Sequence, residues 1–210
     1  MSERAGSFPF AAATDARAAT TLGVWVFLGS EAMLFGGLIL AYVVARLHHG
    51  EAFAAGSAEL DFALGTANTA VLLTSSLTIA LADLFTEERR SAARLFLLAS
   101  AGLGLGFLAI KGMEYASEVS RGLVPAFGLP FGYEGPDRAG AALFFDLYLA
   151  MTGLHAIHLA SGIVVVGWIV LTYPQIGQAR RERRTRGAGL YWHFIDVVWV
   201  FLYPLLYLIG

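Results

Sequence analysis

Between Trp25 and Val44 the sequence WVFLGSEAMLFGGLILAYVV is apolar for the length of a membrane-crossing helix, yet it carries one carboxylate, Glu31, near its middle. As a helix, the wider run from Thr20 to Val44 covers about 37 Å at roughly 1.5 Å per residue, more than the ~30 Å hydrocarbon core of a bilayer. Glu31 is therefore predicted near mid-membrane. An ionisable group there costs about 2.5 to 3.5 kcal/mol on insertion scales, so it must face protein or water, find a partner, or keep its proton. Two readings follow: a packing group hydrogen-bonded inside a bundle, or a functional acid.

Hydrophobic residues make up 57% of the 210 and charged residues 14%, and the mean hydropathy is +0.65. These values exclude an ordinary soluble domain and predict an all-α integral membrane protein. Cysteine is absent, which removes disulfides and thiolate metal ligands. Residues 1–19 carry Glu3, Arg4, Asp15 and Arg17 without an apolar core. They are expected to form a polar arm without a cleavable signal, followed by one membrane domain over 20–210.

Five spans are predicted. The first runs from Thr20 or Thr21, as a helix cap, to about Val44. It ends at Arg46, His48 and His49, expected to be solvated, and a short loop with Glu51, Glu59 and Asp61 follows. The second, Phe62 to Phe85, is polar inside (Asn68, Thr69, Thr74, Ser75, Ser76, Thr78), which suits a helix buried among others. A charged hairpin, Thr86 to Arg94, leads to the third, Leu95 to Tyr115. There Gly102 and Gly106 give the GxxxG spacing that lets helices approach, and Lys111, Glu114 and Glu118 share a face expected at the membrane interface. A loop rich in Gly, Pro and Phe (Ser120 to Arg138) precedes the fourth, Ala139 to Tyr173, with His155 and His158 at i,i+3. Structural or lipid-headgroup contact is the expected role of these histidines, since no clustered acid or cysteine accompanies them as metal ligands. A basic loop, Gln178 to Gly187, precedes the fifth, Leu190 to Ile209, where His193 and Asp196 are spaced to pair and Pro204 is expected to bend the helix.

Ten of the thirteen arginines (4, 17, 89, 90, 94, 180, 181, 183, 184, 186) fall on the side of the N-terminus, the Thr86 hairpin and the 178–187 segment. The positive-inside rule then predicts a cytoplasmic N-terminus and an outside C-terminus.

Five stretches in order, FLGSEAMLF, GTANTAVLLTSS, KGMEYASE, TGLHAIHLASG and YWHFIDVVWVFLY, resemble subunit III of the haem-copper oxidases in its five-helix short form. They span nearly all of residues 20–207. The resemblance implies a V-shaped, lipid-filled cleft that sets the first two spans apart from the rest. It implies no catalytic residue, metal or cofactor in this chain, with haem and copper in partner subunits and structural phospholipid bound. Glu31 matches the family's buried, carbodiimide-reactive carboxylate, a site of proton uptake or of structure. His155, His158, Trp192, His193, Asp196 and Glu114 are candidates for structural or lipid contacts.

The implied function is that of a non-catalytic subunit of a proton-pumping terminal oxidase, reducing oxygen to water in a bacterial-type cytoplasmic membrane. It would contact subunit I chiefly, then subunit II and membrane phospholipid, with no nucleic-acid partner. Two other readings stand beside it: an accessory subunit of a nitric oxide reductase, and an independent proton-coupled carrier using Glu31. The absence of internal repeats and paired interrupted helices argues against a carrier.

Overall fold

The computed structural model describes residues 13–125, 130–135 and 137–208, with side chains from Leu22 onward. It contains six α-helices: α1 (Ala13–His48), α2 (Gly50–Ala58), α3 (Phe62–Phe85), α4 (Arg90–Ser120), α5 (Arg138–Thr172) and α6 (Gln178–Tyr203). A π-helical turn, Pro204–Leu208, closes the described chain. Five of the helices are long and apolar enough to cross a membrane, and no strand occurs among the described residues.

The number of spans matches expectation, but several boundaries move. Helix α1 is already formed at Ala13, the first described residue, because Ala-rich ATDARAA is itself a good helix former. Thr20 and Thr21 therefore lie inside the helix and do not cap it, and residues 1–12 of the polar arm lie outside the described residues. The expected loop after span one is mostly helix α2, whose Ala52 and Phe53 are buried. Phe53 meets the rings of Tyr42 and Phe144 edge-on or nearly so, at 5.1 and 5.5 Å. The basic segment from Gln178 is also helical, forming the first turns of α6. Arg181 reaches back to the Tyr173 carbonyl at 3.0 Å and Arg184 to Thr172 Oγ1 at 3.1 Å, so these arginines hold the turn between spans four and five.

Helix α4 is longer than predicted at both ends, and its 31 residues cover about 46 Å. Its stop is local: Gly122 takes φ +69, Leu123 N–H bonds the Glu118 carbonyl and Gly122 N–H bonds that of Val119. This is the Schellman arrangement, which favours glycine at the left-handed position. Helices α3 and α5 are started by Asp61 and Asp137, whose carboxylates accept from Leu64 N–H and Gly140 N–H, both at 3.0 Å.

Lipid offers no hydrophobic drive between helices, so close packing and polar contacts must hold the bundle. Helix α3 packs on α4 and α6, whereas α1 packs on α5, α6 and α2. The first two spans therefore do not stand apart as a pair, which corrects the division implied by the resemblance. The polar residues of α3 explain its choice of neighbour. Thr66, Thr69, Ser75 and Ser76 meet Tyr203, Trp199, Trp192 and His193 of α6 in four hydrogen bonds of 2.8 to 3.0 Å.

Within α4 the close-approach glycine is not one of the predicted pair. A Cβ on Gly102 or Gly106 would meet nothing within 4 Å, whereas one on Gly104 would lie 3.0 Å from the Trp192 ring and 3.2 Å from Ile163. At the end of α6, Pro204 has no N–H to donate, so the ladder widens into the π turn rather than simply bending. The carbonyls of Leu205 and Leu206 accept hydroxyls from Tyr42 of α1 and Ser57 of α2.

At the same end of the bundle His49, expected to be solvated, bonds Asp137 at 2.6 Å. The Gly140 amide and His49 hold the Asp137 carboxyl below the usual carboxylate range. Depression of the folded-state value means that the contact contributes stability above the ordinary carboxylate pKa, and that this is lost as pH falls through the lowered value. The thermal stability of wild type and Asp137→Asn should therefore differ at neutral pH and converge on acidification. Separately, Gly104→Val should destabilise the isolated chain by about 1 to 3 kcal/mol through overpacking, while Gly106→Val leaves its thermal midpoint nearly unchanged.

Candidate functional site

Glu31 has the partner that an intramembrane acid requires. Its Oε2 lies 2.9 Å from His158 Nε2, joining α1 to α5 across 127 residues of sequence. The side chains are 16% and 13% exposed respectively, so the pair sits just beneath the surface of the isolated chain. Phe35, one turn beyond Glu31, places its ring edge-on to the imidazole at 5.3 Å. Tyr191 of α6 donates to the His158 carbonyl at 3.1 Å and packs near Phe27. Three helices thus frame one acid.

The second ring nitrogen defines what this pair can do. His158 Nδ1 lies 2.8 Å from the Leu154 carbonyl, and a carbonyl can only accept, so Nδ1 carries hydrogen. Nε2 then either donates to a carboxylate as part of an imidazolium or accepts from a protonated Glu31. In both forms the two residues share one proton and have no net charge, which removes most of the cost of burial in a membrane. The site can hold a proton at either of two atoms 2.9 Å apart without changing charge.

The other candidates separate. His155, only three residues from His158, is fully buried, with its ring 5.4 Å from Phe107 and 5.1 Å from Trp199. Trp192 is also fully buried and donates to Ser75 Oγ at 3.0 Å. Protein side chains cover both residues, and neither ring nitrogen of His155 has a hydrogen-bond partner. His193 bonds Ser76 at 2.8 Å and lies 4.0 Å from Asp196, so the predicted pair is near but not tight. Asp196 is buried, and neither of its carboxylate oxygens has a hydrogen-bond partner.

Glu114 belongs to a second cluster. Lys111, Glu114 and Glu118 are 2%, 2% and 0% exposed, inside the protein rather than at the interface as predicted. Their spacing puts them on one face of α4, but that face turns toward Tyr148 of α5 and Tyr207 of the π turn. Lys111 Nζ donates to Glu114 Oε2 and Tyr148 at 2.9 Å and to Tyr207 at 2.6 Å. The tyrosines were not singled out from sequence, where one more Tyr among apolar residues carries no distinguishing signal. No three His, Asp or Glu side chains gather in a metal-binding arrangement among the described residues.

The profile of one protein family, described as cytochrome c oxidase subunit III, matches residues 5–210. The chain belongs to the cytochrome c oxidase subunit III family. Among its relatives in that family, cytochrome c oxidase subunit 3 of Thermostichus vulcanus is 30% identical over 90% of this chain and 86% of its own length. The same-named protein of Alkalihalophilus pseudofirmus is 33% identical, with 90% and 86% covered. Cytochrome bo(3) ubiquinol oxidase subunit 3 of Pseudomonas putida is 30% identical, with 93% and 88% covered. Family membership and five apolar helices make the chain an integral membrane protein. Subunits of both cytochrome c and quinol oxidases occur among these relatives, and neither the reductase nor the carrier reading gains support from them.

If Glu31 and His158 share a proton as the geometry requires, their substitutions are not independent. A double-mutant cycle with Glu31→Gln and His158→Gln should show coupling of about 0.5 kcal/mol or more. Additive thermal shifts would mean that the contact contributes nothing.

Proposed function

We propose that this chain is the non-catalytic third subunit of a proton-pumping haem-copper terminal oxidase. In this reading haem and copper reside in partner subunits, oxygen is reduced there to water, and this chain stabilises subunit I and supports proton uptake. The observation that carries the proposal is the family match over residues 5–210. The charge-neutral Glu31–His158 pair supports a role for this chain in proton handling, since it holds a proton in the membrane at little electrostatic cost. Subunit I is the proposed main contact, with subunit II and structural phospholipid completing the environment. The end bearing the α3–α4 hairpin and the arginine-rich start of α6 faces the cytoplasm of a bacterial-type inner membrane, as the positive-inside rule directs.

Helix α1 is suited to such an assembly. Trp25, Val26, Met33, Leu40 and Leu47 leave 60% or more of their surface exposed, an apolar face available to a neighbouring subunit or to acyl chains. Glu31 lies at the inner edge of that helix, where a contact with subunit I can influence it.

Gentle purification from native membranes, with mass spectrometry and a haem spectrum of the same sample, tests the assignment. A large haem-bearing subunit with a copper-binding partner is expected. A nitric oxide reductase core or a lone haem-free chain would overturn it. Within the oxidase, Glu31→Gln should slow turnover or shorten the active lifetime. Unchanged rate, proton stoichiometry and lifetime in both Glu31→Gln and Glu31→Ala would reduce the acid to a packing group.

A further inference from the structure

The buried cluster around Lys111 has a hydrogen-bond inventory that does not close. The ammonium has three hydrogens, and all three are used, on Glu114, Tyr148 and Tyr207. Each tyrosine accepts from Lys111 and passes its own hydroxyl hydrogen to a carboxylate: Tyr207 to Glu114 Oε1 at 2.6 Å, and Tyr148 to Glu118 Oε1 at 2.7 Å. Both oxygens of Glu114 are thereby satisfied and its charge faces the lysine. Glu118 is fully buried, receives one neutral donor, and its Oε2 has no hydrogen-bond partner.

The charges do not close either. One ammonium stands against two carboxyl groups, and the neighbouring titratable groups are committed elsewhere. Arg121 is bound to the Glu59 carbonyl and carboxylate, Tyr115 to Thr152, Asp61 to the start of α3, and Asp137 to His49. His155 is the exception: it lies between Phe107 and Trp199 with neither ring nitrogen hydrogen-bonded, and so makes no bond to the cluster. A second buried negative charge with an unpartnered oxygen is far more costly than a neutral acid.

We propose that Glu118 is an exchangeable proton-binding site, connected through Tyr148 and Lys111 to Glu114 and from there to water. The route to water in this proposal is through Glu114, which lines a surface pit of about 340 Å³ shared with Glu59, Asp61, Leu64, Ser117 and Arg121. The transfer balances. Lys111 gives one ammonium proton to Glu114; the neutral amine then turns its lone pair toward Tyr148 and the Tyr148 hydroxyl turns from Glu118 toward it, so that Tyr148 gives its phenolic proton to Lys111 while the Glu118 carboxyl turns and gives its proton to Tyr148. Lys111 is again an ammonium, Tyr148 again a phenol, and one proton has moved from Glu118 to Glu114 at the pit. This site is separate from the Glu31–His158 pair and independent of which oxidase the chain serves.

Infrared spectroscopy of the purified full-length chain, with the subunits that accompany it, tests this. The carbonyl band of a protonated carboxylic acid is expected in the wild type, lost in Glu118→Gln and kept in a Glu31→Gln control after subtraction of that residue's own contribution. Tyr148→Phe removes the hydrogen bond to the same group. It should raise the band's frequency and slow its shift after transfer to deuterated buffer, and it carries the test alone if Glu118→Gln does not accumulate. Retention of the band in Glu118→Gln, or a Tyr148→Phe band unchanged in frequency and exchange rate, would overturn the proposal.

Discussion

One end of the bundle depends on the ammonium of Lys111. A charged group buried to 2% exposure is stable only with every hydrogen placed, and here the three placements lie on α4 itself, on α5 and on the π turn after α6. That requirement ties together segments up to 96 residues apart. It also fixes where the C-terminal turn must lie, which in turn brings its carbonyls to the hydroxyls of Tyr42 and Ser57.

The rest of the bundle is held by many weaker contacts of one kind. In lipid a hydroxyl or indole N–H on a helix face seeks a partner on another helix, and individual interhelical bonds contribute about 0.6 kcal/mol on average. The α3–α6 seam repeats this contact four times, pairing the small hydroxyls of one helix with aromatic or imidazole side chains of the other. Gly104 lets α4 approach the same seam, because a Cβ there would crowd the Trp192 ring at 3.0 Å. The outer surface needs none of this, and remains apolar.

Helix α1 is attached differently. Only 11% of its most apolar window is buried within the chain, and its polar contacts include Glu31 with His158 and Tyr42 with the Leu205 carbonyl. A helix held to its neighbours by few contacts, with a proton shared at the seam, is a reasonable place for an adjoining subunit to act on this one. The Lys111 cluster, by contrast, lies buried among α4, α5 and the π turn after α6, with Glu114 lining a surface pit.

The sequence by itself determined the membrane class, the five spans, the family and the anomaly of Glu31, because these rest on composition, on the length of apolar runs and on ordered local motifs. It also determined that α3 would bury its polar face, although not against which helix. Helix boundaries moved wherever Ala-rich or Arg-rich polar sequence continued a helix past the apolar run, since hydropathy measures fit to lipid rather than helix propensity. Only the tertiary structure decided that His158 and not His155 meets Glu31, that Gly104 and not Gly102 or Gly106 is the close-packed glycine, and that Lys111, Glu114 and Glu118 are interior. Each of those outcomes depends on which helix faces which, and that is set by side chains dozens of residues apart satisfying one another in a medium that offers no water to do so.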